Sequence, residues 1–127
     1  VLFRSLEGLE QVCSPDDMRA IRRAVERVRL AQPVADYIVA LAAATRTHDQ
    51  VRYGASPRGS LHLAAMARAH AFAQGRDFVL PDDVQRMAVP VLAHRLVLGG
   101  VGYGMASLAQ AREIVAGIVA GVAAPRA

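Results

Sequence analysis

Ser56-Pro57-Arg58-Gly59 is the stretch of this sequence whose residue types and order suit the binding of an anion. Ser56 is a preferred helix N-cap type, and Pro57 fits the first helical position, where its missing N–H would have no partner anyway. Arg58 then falls in the first turn, at the positive end of the helix dipole, where carboxylates are preferred. The mismatch costs on the order of tenths of a kcal/mol at an exposed site. It turns favourable if an anion sits at that helix end, held by Arg58 together with free backbone N–H groups. Gly59 is expected to keep the approach free of a side chain. Two other fates are open on residue type alone: Arg58 pairs with an acid such as Asp49, or it points into water.

Other candidate chemistry is sparse. All fifteen basic residues are arginines and lysine is absent, so no P-loop lysine can reach a terminal phosphate. The glycine-rich run Gly99-Gly100-Val101-Gly102-Tyr103-Gly104 lacks the Gly-Lys-Ser/Thr ending of a phosphate cradle, and no clear strand leads into it. It reads as a connector. His48, His62, His70 and His94 show no metal-ligand spacing, and no Ser, His and Asp arrangement announces acyl transfer. No catalytic residue and no metal site are expected in this chain.

The elements that must position Arg58 belong to one modest domain, for 127 residues bury a single core. Hydrophobic residues make up 54% and charged residues 20%, a folded composition rather than a disordered one. The net charge of +4 raises the alternative of a basic helical module binding nucleic acid. Only Arg19, Arg22, Arg23, Arg27 and Arg29 cluster, however, and Asp16, Asp17 and Glu26 interrupt them. A solvated helix face is the better account, which makes a nucleic-acid partner unexpected. A stand-alone interaction domain is the third alternative. Cys13 is the one cysteine, so no disulfide forms within the chain, and a reducing cytoplasm is expected. No signal peptide is visible, and the apolar stretch 114–124 is too short to span a bilayer. The chain opens on Val1 rather than Met, as expected of a fragment or processed product, and residues 1–11 are given no role.

Helix starts are legible because several use one device. Ser14-Pro15-Asp16-Asp17 combines a cap, a proline and first-turn carboxylates, and predicts a helix to about Val28 with Met18, Ile21, Val25 and Val28 on one face. Gln32-Pro33 opens a second helix to about His48, and Ser56-Pro57 a third to Gln74, where Gly75 is a natural stop. Phe78-Val79-Leu80 is β-like. Pro81-Asp82-Asp83 starts a fourth helix, kinked or broken before Pro90. Ser107 caps a last helix with Leu108, Ala111, Val115, Ile118 and Val122 as its stripe, ended by Pro125. The expected fold is all-α: a compact bundle of four to five helices with at most very short β segments.

Tyr53-Gly54-Ala55-Ser56-Pro57-Arg58-Gly59 resembles the sensor 2 segment of MoxR-family AAA+ ATPases, in which the arginine faces the γ-phosphate. The flanks agree: Asp36-Tyr37-Ile38-Val39 and Ala44-Thr45-Arg46 precede it, and Gly75-Arg76-Asp77-Phe78-Val79-Leu80-Pro81-Asp82-Asp83-Val84 follows. Val91-Leu92-Ala93-His94-Arg95-Leu96 resembles the family's kinked fourth segment. The resemblance covers residues 12–98, the lid domain; the glycine-rich loop at 99–106 departs from the more acidic linker of the family, and the helix at 107–124 packs on the lid and fits loosely.

The resemblance implies a division of labour. An ATPase core, absent here, would hold the Walker motifs, the arginine finger and the magnesium ion that accompanies ATP. The lid closes over the nucleotide, with Arg58 as γ-phosphate sensor and Gly54, Ser56, Pro57 and Gly59 forming the turn and helix start around it. Hydrolysis would then drive lid rotation in a ring, usually a hexamer, that remodels or matures client proteins. By this reading the chain alone does not hydrolyse ATP.

Overall fold

Helix α1 (Pro15–Glu26) begins where its signature predicts, with Ser14 as N-cap. Ser14 Oγ accepts the Asp17 N–H at 3.1 Å and the Asp17 carboxylate accepts the Ser14 N–H at 2.8 Å, a closed capping box. Those bonds hold the Asp17 carboxyl below the usual carboxylate range. The computed structural model describes residues 8–100 and 105–126. Residues 1–7 of the unassigned N-terminal stretch, and Val101 to Gly104 of the glycine-rich loop, lie outside the described residues.

The chain continues through α2 (Gln32–Thr47), β1 (Val51–Tyr53), α3 (Pro57–Ala73), α4 (Pro81–Leu92), a 3-10 turn (Ala93–Arg95), β2 (Val97–Leu98) and α5 (Met105–Gly121). The architecture is the expected mostly helical bundle. Helices α2, α3, α4 and α5 share the interior through Leu41, Leu63, Val84, Leu92 and Val115, all nearly or wholly buried. Ala67, Ala71 and Ala88 lie at its centre, and such small side chains let α3 and α4 approach closely.

Three details add to the expectations. The apolar face of α1 is not buried: Met18 and Ile21 stay exposed and Val25 is half-buried, because α1 lies on the rim of the bundle against α3; Val28, just past its end, is buried. Of the kink or break expected at Pro90, α4 shows no break, since the helix is continuous through that residue. The proline removes one helical donor, but it stands in the last turn of α4, which runs on to Leu92 before tightening into the 3-10 turn. Finally, α5 begins at Met105, two residues before Ser107, since Met and Ala favour helix; its stripe of Ala111, Ile114, Val115 and Ile118 is buried.

The β content is small. Strands β1 and β2 pair antiparallel, Val51 opposite Leu98, and Gly99 N–H extends the ladder to Gln50 O at 2.9 Å. Phe78, in the β-like run, forms a single bridge with Arg29 through Arg29 N–H to Asp77 O at 2.8 Å and Val79 N–H to Arg29 O at 2.9 Å. Helix α3 ends as predicted. Gly75, at φ +73°, lets its own N–H reach Phe72 O and the Arg76 N–H reach Ala71 O, a Schellman stop.

Candidate functional site

The site is built at the start of α3, where the chain returns from β1 and passes the end of α2. Ser56 adopts the extended N-cap conformation, φ −72° and ψ 166°, and Pro57 opens the helix. The Ser56 side chain makes no cap hydrogen bond. By contrast, the starts of α1 and α4 are closed by their own carboxylates, Asp17 and Asp83. The first turn of α3 holds no acidic residue, and the Arg58 guanidinium there adds a formal charge to the positive end of the helix.

Arg58 is exposed, and among the described residues it has no hydrogen bond or ion pair. The pairing with Asp49 left open by the sequence does not occur. Four residues along α3, on the same face, His62 presents Nδ1 to Arg95 Nη2 at 2.6 Å, while Arg95 Nε donates to Val91 O at 2.9 Å. Arg95 is thus engaged within the protein, whereas Arg58, among the described residues, is not.

Two glycines serve the site differently. Gly54 lies where α2 crosses the turn: a Cβ there would stand 2.7 Å from the Cα, N and Cγ of Arg46, so only glycine lets the two backbones meet. Gly59, expected from the sequence to keep an anion's approach free of a side chain, faces the interior instead. It is buried against the interior, where a Cβ would lie 3.3 Å from Ala55 Cβ and 3.7 Å from Leu92 Cδ2. Its role is to let α3 settle on α4, because position 59 points inward when position 58 points out.

Two groups of residues, most of them named from the sequence only as flanks, tie down the two ends of α3. Thr45 and Arg46 both bond the backbone of Ala55, directly before the helix start. At the far end of α3, Asp83 is 1% exposed and accepts from Arg76, from His70 Nδ1 at 2.7 Å and from the Leu80 N–H at 2.7 Å. Burial alone would raise the Asp83 pKa; the Arg76, Leu80 and His70 hydrogen bonds and the Arg76 charge outweigh it and lower the value to about 2. Apart from the Leu80 N–H, three residues before Asp83, no local pattern announces either set, because the other partners lie seven to thirteen residues apart.

Elsewhere the chemistry is bland. Among the described residues no three His, Cys, Asp or Glu side chains gather as a metal ion would require. Of the α1 arginines, Arg19 pairs with Asp16, while Arg29, just beyond the helix, pairs with Asp77 and lies over the Phe78 ring. No helix among the described residues is long and apolar enough to cross a membrane.

A family profile described as the AAA lid domain matches residues 43–118, from the end of α2 into α5. The chain is 41% identical over 93 residues to the uncharacterized protein YeaC of Bacillus subtilis, which covers 73% of this chain and 29% of that protein. It is 37% identical over 98 residues to the chaperone MoxR1 of Mycobacterium tuberculosis, 70% of this chain and 26% of that one. The crystal structure of a candidate ATPase from Cytophaga hutchinsonii superposes with a TM-score of 0.79 at 26% identity, covering 98% of this chain and 42% of that structure. In each case the chain spans less than half of the relative's length.

Proposed function

The chain belongs to the AAA lid domain family, in its MoxR branch, and from that premise we propose that it is the nucleotide-sensing lid of a MoxR-type AAA+ ATPase. The observation that carries this reading is Arg58: an exposed guanidinium without a partner among the described residues, at a helix start that the Ser56 side chain does not cap. Such a corner suits a phosphate, which can take both the planar guanidinium and the helix end.

In this reading Arg58 meets the γ-phosphate of ATP when the lid closes over the nucleotide-binding core, a domain outside this chain. Its charge offsets the negative charge that spreads over the phosphoryl oxygens as the transferred group departs. The magnesium ion accompanying ATP is held by that core, which supplies the remaining phosphoryl-transfer chemistry. Loss of the γ-phosphate removes the partner of Arg58 and frees the lid to turn. In a ring of such subunits, a hexamer by family analogy, that rotation drives remodelling or maturation of a client protein in the cytoplasm.

The test uses the intact ATPase that carries this lid. Arg58→Ala should slow ATP hydrolysis by about 10- to 100-fold, the scale of losing one positioned charge at a transition state. ATP affinity should fall much less, since the P-loop of the core holds most of the phosphate. Turnover equal to the parent's would remove Arg58 from the nucleotide site.

A further inference from the structure

The start of α3 hangs on one residue, Ala55. It is fully buried, and adjacent residues of α2 bind both of its backbone polar groups. Its N–H donates to Thr45 Oγ1 at 2.8 Å, and its carbonyl accepts from Arg46 Nη1 at 2.8 Å. Thr45 is itself fully buried, and its hydroxyl donates to Ala42 O at 2.6 Å, which aims the oxygen lone pairs at Ala55. The bare Cα of Gly54 lies against the Arg46 backbone and keeps the two segments in register. Three residues beyond this grip stands Arg58, whose side chain has no hydrogen bond or ion pair among the described residues. Among the described residues, the backbone that carries it is what these hydrogen bonds hold in place.

We infer that Thr45 and Arg46 are positioning residues for Arg58: by holding the Ala55 backbone from both sides, they fix where the first turn of α3 presents the guanidinium. The inference rests on the reading of Arg58 as the γ-phosphate-facing residue. A charge stabilises a transition state only where it is already placed, and a misplacement near 1 Å costs about 100-fold in rate. Arg58 can recover part of any backbone shift by changing rotamer, so loosening the grip costs less than losing the residue.

The experiment measures kcat and KM for ATP in the intact ATPase carrying Thr45→Val or Arg46→Met, each alone and combined with Arg58→Ala. Thr45→Val leaves the buried Ala55 N–H without an acceptor and lowers stability. Arg46→Met alters an exposed side chain and keeps its aliphatic stem, so it loosens the same grip in a folded lid; thermal melting of each variant verifies this. Each single substitution should lower kcat about 3- to 10-fold with KM within about twofold, and should add less than about twofold once Arg58 is alanine. Thr45→Ser, which keeps the hydroxyl, should return kcat to within about twofold of the parent. A substitution that merely unfolds the lid would lower activity by the same factor in both backgrounds. Losses that multiply with Arg58→Ala, or an unchanged kcat in both single variants, overturn the positioning role while leaving Arg58 at the phosphate. Normal turnover in Arg58→Ala alone overturns the phosphate-facing reading, and the positioning role with it.

Discussion

Arg76 grips Asp83 with both terminal nitrogens, Nη1 to Oδ2 at 2.7 Å and Nη2 to Oδ1 at 2.6 Å, across the turn that joins α3 to α4. The Schellman stop at Gly75 delivers Arg76 to this position, and the same carboxylate caps α4 through the Leu80 N–H. One buried anion therefore closes the far end of the hairpin whose near end carries Arg58.

Breaking that pair should unfold the domain before it alters anything else. Arg76→Ala leaves the Asp83 carboxylate in the interior with only His70 and one N–H, and removing one partner of a buried pair costs about 3 kcal/mol. Thermal or urea unfolding of the isolated chain should register this as a large drop in midpoint. A change below about 0.5 kcal/mol would show the pair to be no stronger than a surface contact.

The same network predicts the acid limit of the fold. With its folded pKa near 2 against 3.8 unfolded, Asp83 binds a proton less readily in the native state. Its contribution is present in full above pH 3.8 and is lost as pH falls through that value toward 2. The shift corresponds to about 2 kcal/mol. Urea midpoints measured from pH 6 down to 2 should fall for the parent. Asp83→Asn should be less stable at pH 6 and show a shallower decline; an equal slope in both would assign the acid sensitivity to other carboxylates.

Gly54 and Gly117 should respond to alanine with opposite signs. At Gly54 the new Cβ meets the Arg46 backbone at 2.7 Å, and neither segment can yield without moving α2 or the turn. A cost of about 1–3 kcal/mol is expected. Gly117 is an exposed site within α5 with nothing within 4 Å of a Cβ. Alanine there should stabilise by about 0.5–1 kcal/mol, through reduced freedom of the unfolded chain and better helix propensity. Paired melting curves decide both signs at once.

Charge alone should not replace Arg58. In the intact ATPase, Arg58→Lys keeps the cation but loses the guanidinium's planar fork, so turnover should recover only part of the loss seen with alanine. Arg22→Ala, which removes an exposed arginine on α1, serves as the control and should leave hydrolysis near the parent rate. Equal losses in Arg58→Ala and Arg22→Ala would point to a general charge effect.

Much of the helical layout was legible in the residues, and the site less so. Ser14, Pro15 and Asp17 form a capping box because the three groups meet within one turn, whatever the rest of the chain does. Gly75 stops α3 for the same kind of reason. The role of Gly59 was misjudged because its inward direction depends on α4 lying beneath it. Likewise the spacing of Met18 and Ile21 marks an amphipathic helix, yet nothing in that spacing says whether a partner covers its face.

The sequence by itself determined where α1 to α4 start and where α3 stops, that the domain is helical, and that Arg58 stands at a helix N-terminus. Those outcomes follow from hydrogen bonds and dihedral preferences spanning at most a turn or two. Only the tertiary structure decided that Thr45 and Arg46 hold Ala55, that His70 and Arg76 share Asp83, and that Val51 pairs with Leu98. Each of these requires loops to close and helices to pack at a set distance. A buried donor or acceptor then takes the partner that packing brings within reach, not one chosen by its place in the sequence.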